Sequence, residues 1–150
     1  MLRVRSISQG HELALALRSA YLEMHRCVDT QFRQTGVTAD QFVVLSALAE
    51  AGCLTQRRLA DQITCDQNTL RAMLLLLEKK GLVLRQPHPT DGRARLVSLT
   101  SEGEVLQKAL SEQLNPLRQS LGESLRPEET ELLLELLRRV AATISAPAST

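Results

Sequence analysis

The sequence predicts a mainly α fold: a winged helix-turn-helix held between long N- and C-terminal dimerisation helices, with a two-stranded β-wing. Three observations predict it. Apolar residues recur at steps of three and four in several segments, as on amphipathic helices. Two short helical patterns meet at a tight turn, Thr64-Cys65-Asp66, in the middle of the chain. Two short β-like runs follow, joined by a loop with two prolines and an Asp-Gly turn.

Taken in order, residues 1–9 read as a short irregular arm. From about Gly10 to Gln34 the apolar positions Leu13, Leu17, Ala20, Tyr21, Met24, Val28 and Phe32 form one helical stripe, and Gly36 ends it. Thr38-Ala-Asp-Gln41 is a capping box, in which the hydroxyl accepts an orphan N–H and the Gln side chain reaches back. Its helix carries Phe42, Leu45, Leu48 and Ala49 and stops at Gly52, after which Cys53-Leu54 adds a short strand.

Thr55 caps the first short helix, which turns Leu59, Ala60 and Ile63 inward. Asp66 caps the second, Gln67 to Lys80, at its positive end. The inward face there is Leu70, Met73, Leu74 and Leu77, and Gly81 terminates the helix. Leu82–Arg85 and Arg95–Leu99 form the strand pair. A long helix from Ser101 carries Leu106, Leu110, Leu114, Leu117 and Leu121, and Pro116 kinks or breaks it. Pro127-Glu-Glu opens the last helix, with Leu133, Leu136, Leu137, Val140 and Ile144 on one side. The tail 146–150 reads as frayed.

The 150 residues suffice for one domain. Residues 53–100 form the winged module, and 10–52 and 101–145 form scaffold and dimerisation helices. Net charge is only +1, yet residues 53–99 hold eight Lys/Arg against four acids, and the remainder is net acidic. A basic middle suits phosphate binding; the plainer account is patchiness of a solvated surface. Three cysteines (27, 53, 65) without metal spacing point to a reducing, cytoplasmic setting. No apolar run reaches membrane-span length, so no membrane partner is expected. His11, His25 and His88 are scattered and there is no Gly-rich phosphate loop. The expectation is a non-enzyme with no catalytic residues, no metal site and no cofactor.

A helix-turn-helix places its second helix in the DNA major groove. Gln67, Asn68 and Arg71, near the start of that helix, are the candidates for reading base edges, Gln or Asn on adenine and Arg on guanine. Thr69 either touches a phosphate or back-bonds its own helix. The apolar stripes of the first and last helices are economically buried against a second copy. A two-fold dimer sets recognition helices about 34 Å apart, one DNA turn.

Several segments together resemble the multiple-antibiotic-resistance regulator (MarR) family of bacterial winged-helix proteins. They are Gln41-x-x-x-Leu45-x-x-Leu48, Leu54-Thr-x-x-x-Leu59-Ala60, Leu77-Glu-Lys-Lys-Gly-Leu-Val83 and Asp91-Gly-Arg93-Ala-Arg95-Leu-Val-x-Leu-Thr100. The resemblance implies a homodimer formed through the terminal helices. It also implies binding to palindromic double-stranded DNA as a repressor, often released by a small ligand or by oxidation. It places Arg93 at the wing tip for the minor groove, with Asp91 bracing the wing and Arg95 on phosphate. The recognition helix departs from the family pattern. Ala72 stands where an Arg is usual, and Leu75 and Leu76 replace polar residues; their expected roles are packing on a neighbouring helix or contact with thymine methyls.

Family members often bind acidic aromatic effectors between the winged lobe and the dimer helices. Arg18, Tyr21 and His25 share one face of the first helix and are the candidate pocket for such an anionic aromatic effector; the plainer account is a dimer-facing helix edge. Cys65, just before a helix N-terminus, is the candidate redox residue, since such a site stabilises a thiolate. The alternative reading of the whole is a helical dimeric protein-interaction module with weak or lost DNA binding.

Overall fold

The computed structural model describes residues 2–145, with side chains from Ser6 onward. Seven helices and three strands lie among the described residues: α1 (Leu2–Phe32), α2 (Ala39–Ala51), β1 (Cys53–Thr55), α3 (Gln56–Gln62), α4 (Gln67–Lys79), β2 (Val83–Pro87), β3 (Arg95–Leu99), α5 (Ser101–Gln113), α6 (Asn115–Glu123) and α7 (Pro127–Ser145). Two compact units divide the chain, one up to Glu112 and one from Gln113 onward.

The expected irregular N-terminal arm is corrected. The backbone is already helical at Leu2 and passes through Gly10 without a break. An interior glycine weakens a helix by about 1 kcal/mol relative to alanine, which the long run of ordinary helix-formers around it outweighs. The helix ends two residues earlier than expected, at Phe32 rather than Gln34. The expected frayed tail over 146–150 lies outside the described residues.

α2 starts as its sequence dictates. Thr38 and Gln41 form both halves of the capping box. A second acceptor was not foreseen: Asp29 on α1 takes the Ala39 N–H at 2.7 Å. His25 lies between Asp29 (3.2 Å) and Asp40 (3.4 Å). One imidazole thereby ties α1 to the first turn of α2. Phe32 and Phe42 meet edge to face at 5.2 Å.

The core of the first unit is aliphatic apart from those rings. Val44, Leu45, Leu48, Leu59, Leu70, Leu74, Leu77, Val97 and Leu110 are all essentially sealed from solvent. Ala49 is exposed and Met73 half-buried, against expectation.

The wing is a hairpin in a sheet larger than expected. The strand order is β1-β3-β2, antiparallel throughout, so β3 is central. The Cys53-Leu54 strand extends to Thr55, which pairs with Leu96 and also caps α3. Its hydroxyl accepts the Arg58 N–H at 3.2 Å.

Pro116 acts as predicted by breaking the long C-terminal helix, and α6 begins anew at Asn115 with the proline in its first turn. In the second unit α7 is amphipathic. Leu132, Leu133, Leu134, Leu136, Leu137 and Ile144 are each 37–77% exposed. Among the described residues no helix is long and apolar enough to cross a membrane.

Candidate nucleic-acid interface

The helix-turn-helix is α3, the turn 63–66 and α4. Thr64 adopts φ 55°, the sole left-handed non-glycine residue among those described. That reversal lets Cys65 N–H reach back to Ala60 O at 2.9 Å and close the turn. Asp66 then caps α4, accepting Thr69 N–H at 2.9 Å and the Thr69 hydroxyl as well. The Thr69 hydroxyl thus donates to the cap side chain rather than back-bonding a helix carbonyl.

Those bonds, the hydroxyl first, hold the Asp66 carboxyl below its ordinary value of 3.8. A depressed native pKa stabilises the fold fully above the unfolded value and ceases to do so as pH falls through the native one. Asp66→Asn keeps a competent cap but removes the charge. In urea denaturation the wild type should be more stable than this variant at about pH 7, and the gap should close on acidification below about 3.8. A gap constant with pH would remove charge from the explanation.

At the other end of α4, Gly81 takes φ 72° and Leu82 N–H bonds Leu77 O at 2.9 Å, the expected stop. Lys80 donates to Gly36 O, fastening the end of α4 to the turn after α1. Arg85 grips Glu78 through Nε (2.9 Å) and Nη2 (2.6 Å). Two of the eight basic residues of the module are thus engaged by other parts of the protein. Arg57, Arg58, Arg71, Lys79, Arg93 and Arg95 remain exposed.

The exposed side of α4 carries Gln67, Asn68, Arg71, Ala72, Leu75, Leu76 and Lys79, opposite the buried Leu70, Leu74 and Leu77. Leu75 and Leu76 are 50% and 52% exposed. The expectation that they pack on a neighbouring helix is therefore corrected for this chain. The buried arc of α4 is already filled at its 70, 74 and 77 positions, and the helix turns residues 75 and 76 outward.

The wing tip is organised by two side chains. His88 Nδ1 accepts the N–H groups of Thr90 (3.2 Å) and Asp91 (3.1 Å), so this nitrogen carries no proton in this arrangement. His88 N–H in turn bonds Ala94 O at 3.1 Å. Asp91 Oδ1 accepts the Arg93 N–H at 3.0 Å, and Asp91 O accepts Ala94 N–H at 3.1 Å. The Asp91 carboxylate thus holds backbone, leaving the Arg93 guanidinium exposed at the tip.

A cleft runs between the wing and the start of α4, lined among others by Thr55, Arg57, Gln67, Asp91, Arg93 and Arg95. Three guanidinium groups against one carboxylate make it a cationic trough. Arg57 and His88 are the residues that sequence reasoning missed. Arg57 had a signal: Arg57-Arg58 puts two cations in the first turn of α3, where the helix dipole disfavours them. Such a local conflict marks a position kept for something other than stability.

The other candidates are placed less favourably. Tyr21 and His25 rings touch at 5.7 Å, but His25 is engaged by Asp29 and Asp40. Its surroundings are anionic, so the expected cup for an anion at Arg18, Tyr21 and His25 loses its third member. Cys65 is also corrected. Partial burial, then the charges of Asp66 and Asp40, raise its thiol above the ordinary value of 9.0, the reverse of an activated thiolate. Its Sγ lies 3.3 Å from Asp66 O. Among the described residues no group of three or more His, Cys, Asp or Glu side chains could hold a metal ion.

Comparison with known proteins decides the family. A MarR family profile matches residues 37–94, from the α2 cap to the wing tip. The transcriptional regulator FarR of Neisseria gonorrhoeae is 34% identical over 124 residues, which cover 80% of this chain and 85% of FarR. The structure of a mutant E. coli MarR complexed with operator DNA is 30% identical with TM-score 0.79, covering 86% of this chain and 93% of that one. The chain belongs to the MarR family. Another solved MarR-like fold, NadR in complex with 4-hydroxyphenylacetate, is 30% identical with TM-score 0.75, covering 86% of this chain and 92% of NadR. The mainly helical winged fold of this MarR-family chain matches theirs.

Proposed function

We propose that this chain is a dimeric, cytoplasmic, sequence-specific DNA-binding transcriptional regulator, a repressor and not an enzyme. The observation that carries the reading is the cationic trough. It joins the exposed start of α4 to an Arg-tipped hairpin across Arg57, Gln67, Arg93 and Arg95. A duplex laid along it meets base-reading side chains from α4 and phosphate or minor-groove contacts from the wing. E. coli MarR bound to operator DNA, at 30% identity, supports the same use here. A second copy, paired through α1 and α7, would present two such surfaces to a palindrome.

Selection of bound duplexes from a random pool, followed by titration at several salt concentrations, tests this. Arg93→Ala should weaken binding on all duplexes and lower the salt slope by about one phosphate equivalent. Arg71→Ala should instead cost about 1–3 kcal/mol and relax preference at one base position. Weak binding indifferent to sequence and to Arg93→Ala would leave a dimeric interaction module as the function.

Release by a small anionic aromatic effector is part of the proposal, supported by NadR with 4-hydroxyphenylacetate. Arg18 and Tyr21, both exposed and one turn apart on α1, are the side chains offered for it. Loss of DNA binding on adding phenolic acids, abolished by Arg18→Ala, is the expected result.

A further inference from the structure

We propose that Ala72, Leu75 and Leu76 form an apolar reading patch for the C5-methyl groups of thymine, so that the target carries thymines at fixed positions in each half-site. The proposal rests on the DNA-binding reading above and deepens it. Residues 72, 75 and 76 stand at i, i+3 and i+4, the spacing that makes neighbours on a helix surface. All three are exposed, and the two leucines present half their surface to solvent. They lie on the side of α4 away from the sealed Leu70, Leu74 and Leu77.

The neighbours of the patch say what covers it. Asn68 precedes Ala72 by one turn, Arg71 precedes Leu75 by one turn, and Lys79 follows Leu75 by one turn, all exposed. The patch is therefore continuous with the base-reading side chains and framed by two cations. A second copy of the same basic face would be repelled, whereas a polyanion is attracted. In the major groove of a polyanionic duplex the thymine methyl is the apolar group on the base edges. From Asn68 to Leu75 the helix rises about 10 Å, roughly three base steps. The patch thus reads bases beyond those within reach of Asn68 and Arg71.

The test uses the full chain and the duplex it selects from a random pool. Thymines are replaced one at a time by uracil, which removes a methyl and no hydrogen-bonding group. Losing a buried methyl should weaken binding about three- to fourfold at the contacted position. Leu75→Ala or Leu76→Ala should bind the thymine and uracil duplexes equally at that position, while Arg71→Ala should keep the full discrimination. Equal binding of all uracil and thymine duplexes by the wild type overturns the proposal, as does a uracil penalty that survives in both leucine variants. So does a shift in sedimentation of the leucine variants without any change in discrimination, which would assign the patch to another protein surface. If no duplex is selected at all, the parent reading falls and this one with it; a selected duplex blind to uracil overturns the methyl patch alone.

Discussion

Replacing Gly103 with alanine should destabilise the winged unit by about 3 kcal/mol or more. Gly103 is buried in the first turn of α5. A Cβ there would stand 2.0 Å from Leu82 O and 3.0 Å from Leu82 C, both backbone atoms that no side-chain rotation can move aside. Leu82 O is also the acceptor for Thr100 N–H at 3.1 Å, and the Thr100 hydroxyl donates to Gly81 O at 2.6 Å while accepting Gly103 N–H at 3.0 Å. Pushing the backbones apart breaks this knot, which joins the end of α4, the start of β2 and the start of α5. The gain in helix propensity, about 1 kcal/mol, is smaller than the clash. Urea denaturation measures the loss. Gly10→Ala and Gly122→Ala are the controls: both are helical with no atom within 4 Å of the added carbon, and each should stabilise by about 0.5–1 kcal/mol. Similar effects at all three glycines would mean that the close approach at Gly103 is not a constraint.

Removing the chain after Pro127 should abolish the dimer and, with it, tight binding to a palindrome. α7 is 19 residues long, buries none of its side chains fully, and exposes five leucines and an isoleucine. Burying a leucine contributes about 1.5–3 kcal/mol, so leaving this face in water forgoes several such contributions. α1 adds Leu13, Leu15 and Met24, each 43–54% exposed. Sedimentation at micromolar concentration gives the mass directly. Leu133→Glu with Leu137→Glu, which keeps the helix and spoils its apolar face, should do the same. A dimeric mass in both variants would move the interface elsewhere.

Local chemistry made most of the fold legible. The Thr38–Gln41 box, the Thr55 and Asp66 caps, and the stops at Gly52 and Gly81 are each set by residues within a few positions of one another, and each stands where the sequence puts it. The features that escaped are non-local or unmarked. β1 stands at the expected Cys53-Leu54, but its pairing with β3, more than forty positions away, has no local signature. His88 looked like a scattered histidine because its partners are backbone N–H groups, which have no sequence signature. The rise of the Cys65 thiol comes first from partial burial, then from Asp66 and from Asp40, and the burial and the approach of Asp40 are both products of folding. For the candidate interface, Gln67, Asn68, Arg71, Arg93 and Arg95 are exposed as expected, because a helix-turn-helix dictates which positions face outward. Arg57 was missed because its partnership with the wing is made by tertiary structure.

The central position of β3 has a mechanical result. One edge of that strand holds the outer arm of the hairpin, and the other holds the three residues that lead into α3. A central strand bonded along both margins ties the base of the hairpin to the lead-in of α3. Hairpin and helix-turn-helix are therefore expected to travel as a single jaw, so that in the proposed dimer a releasing signal would have to reset the gap between two jaws rather than bend either one.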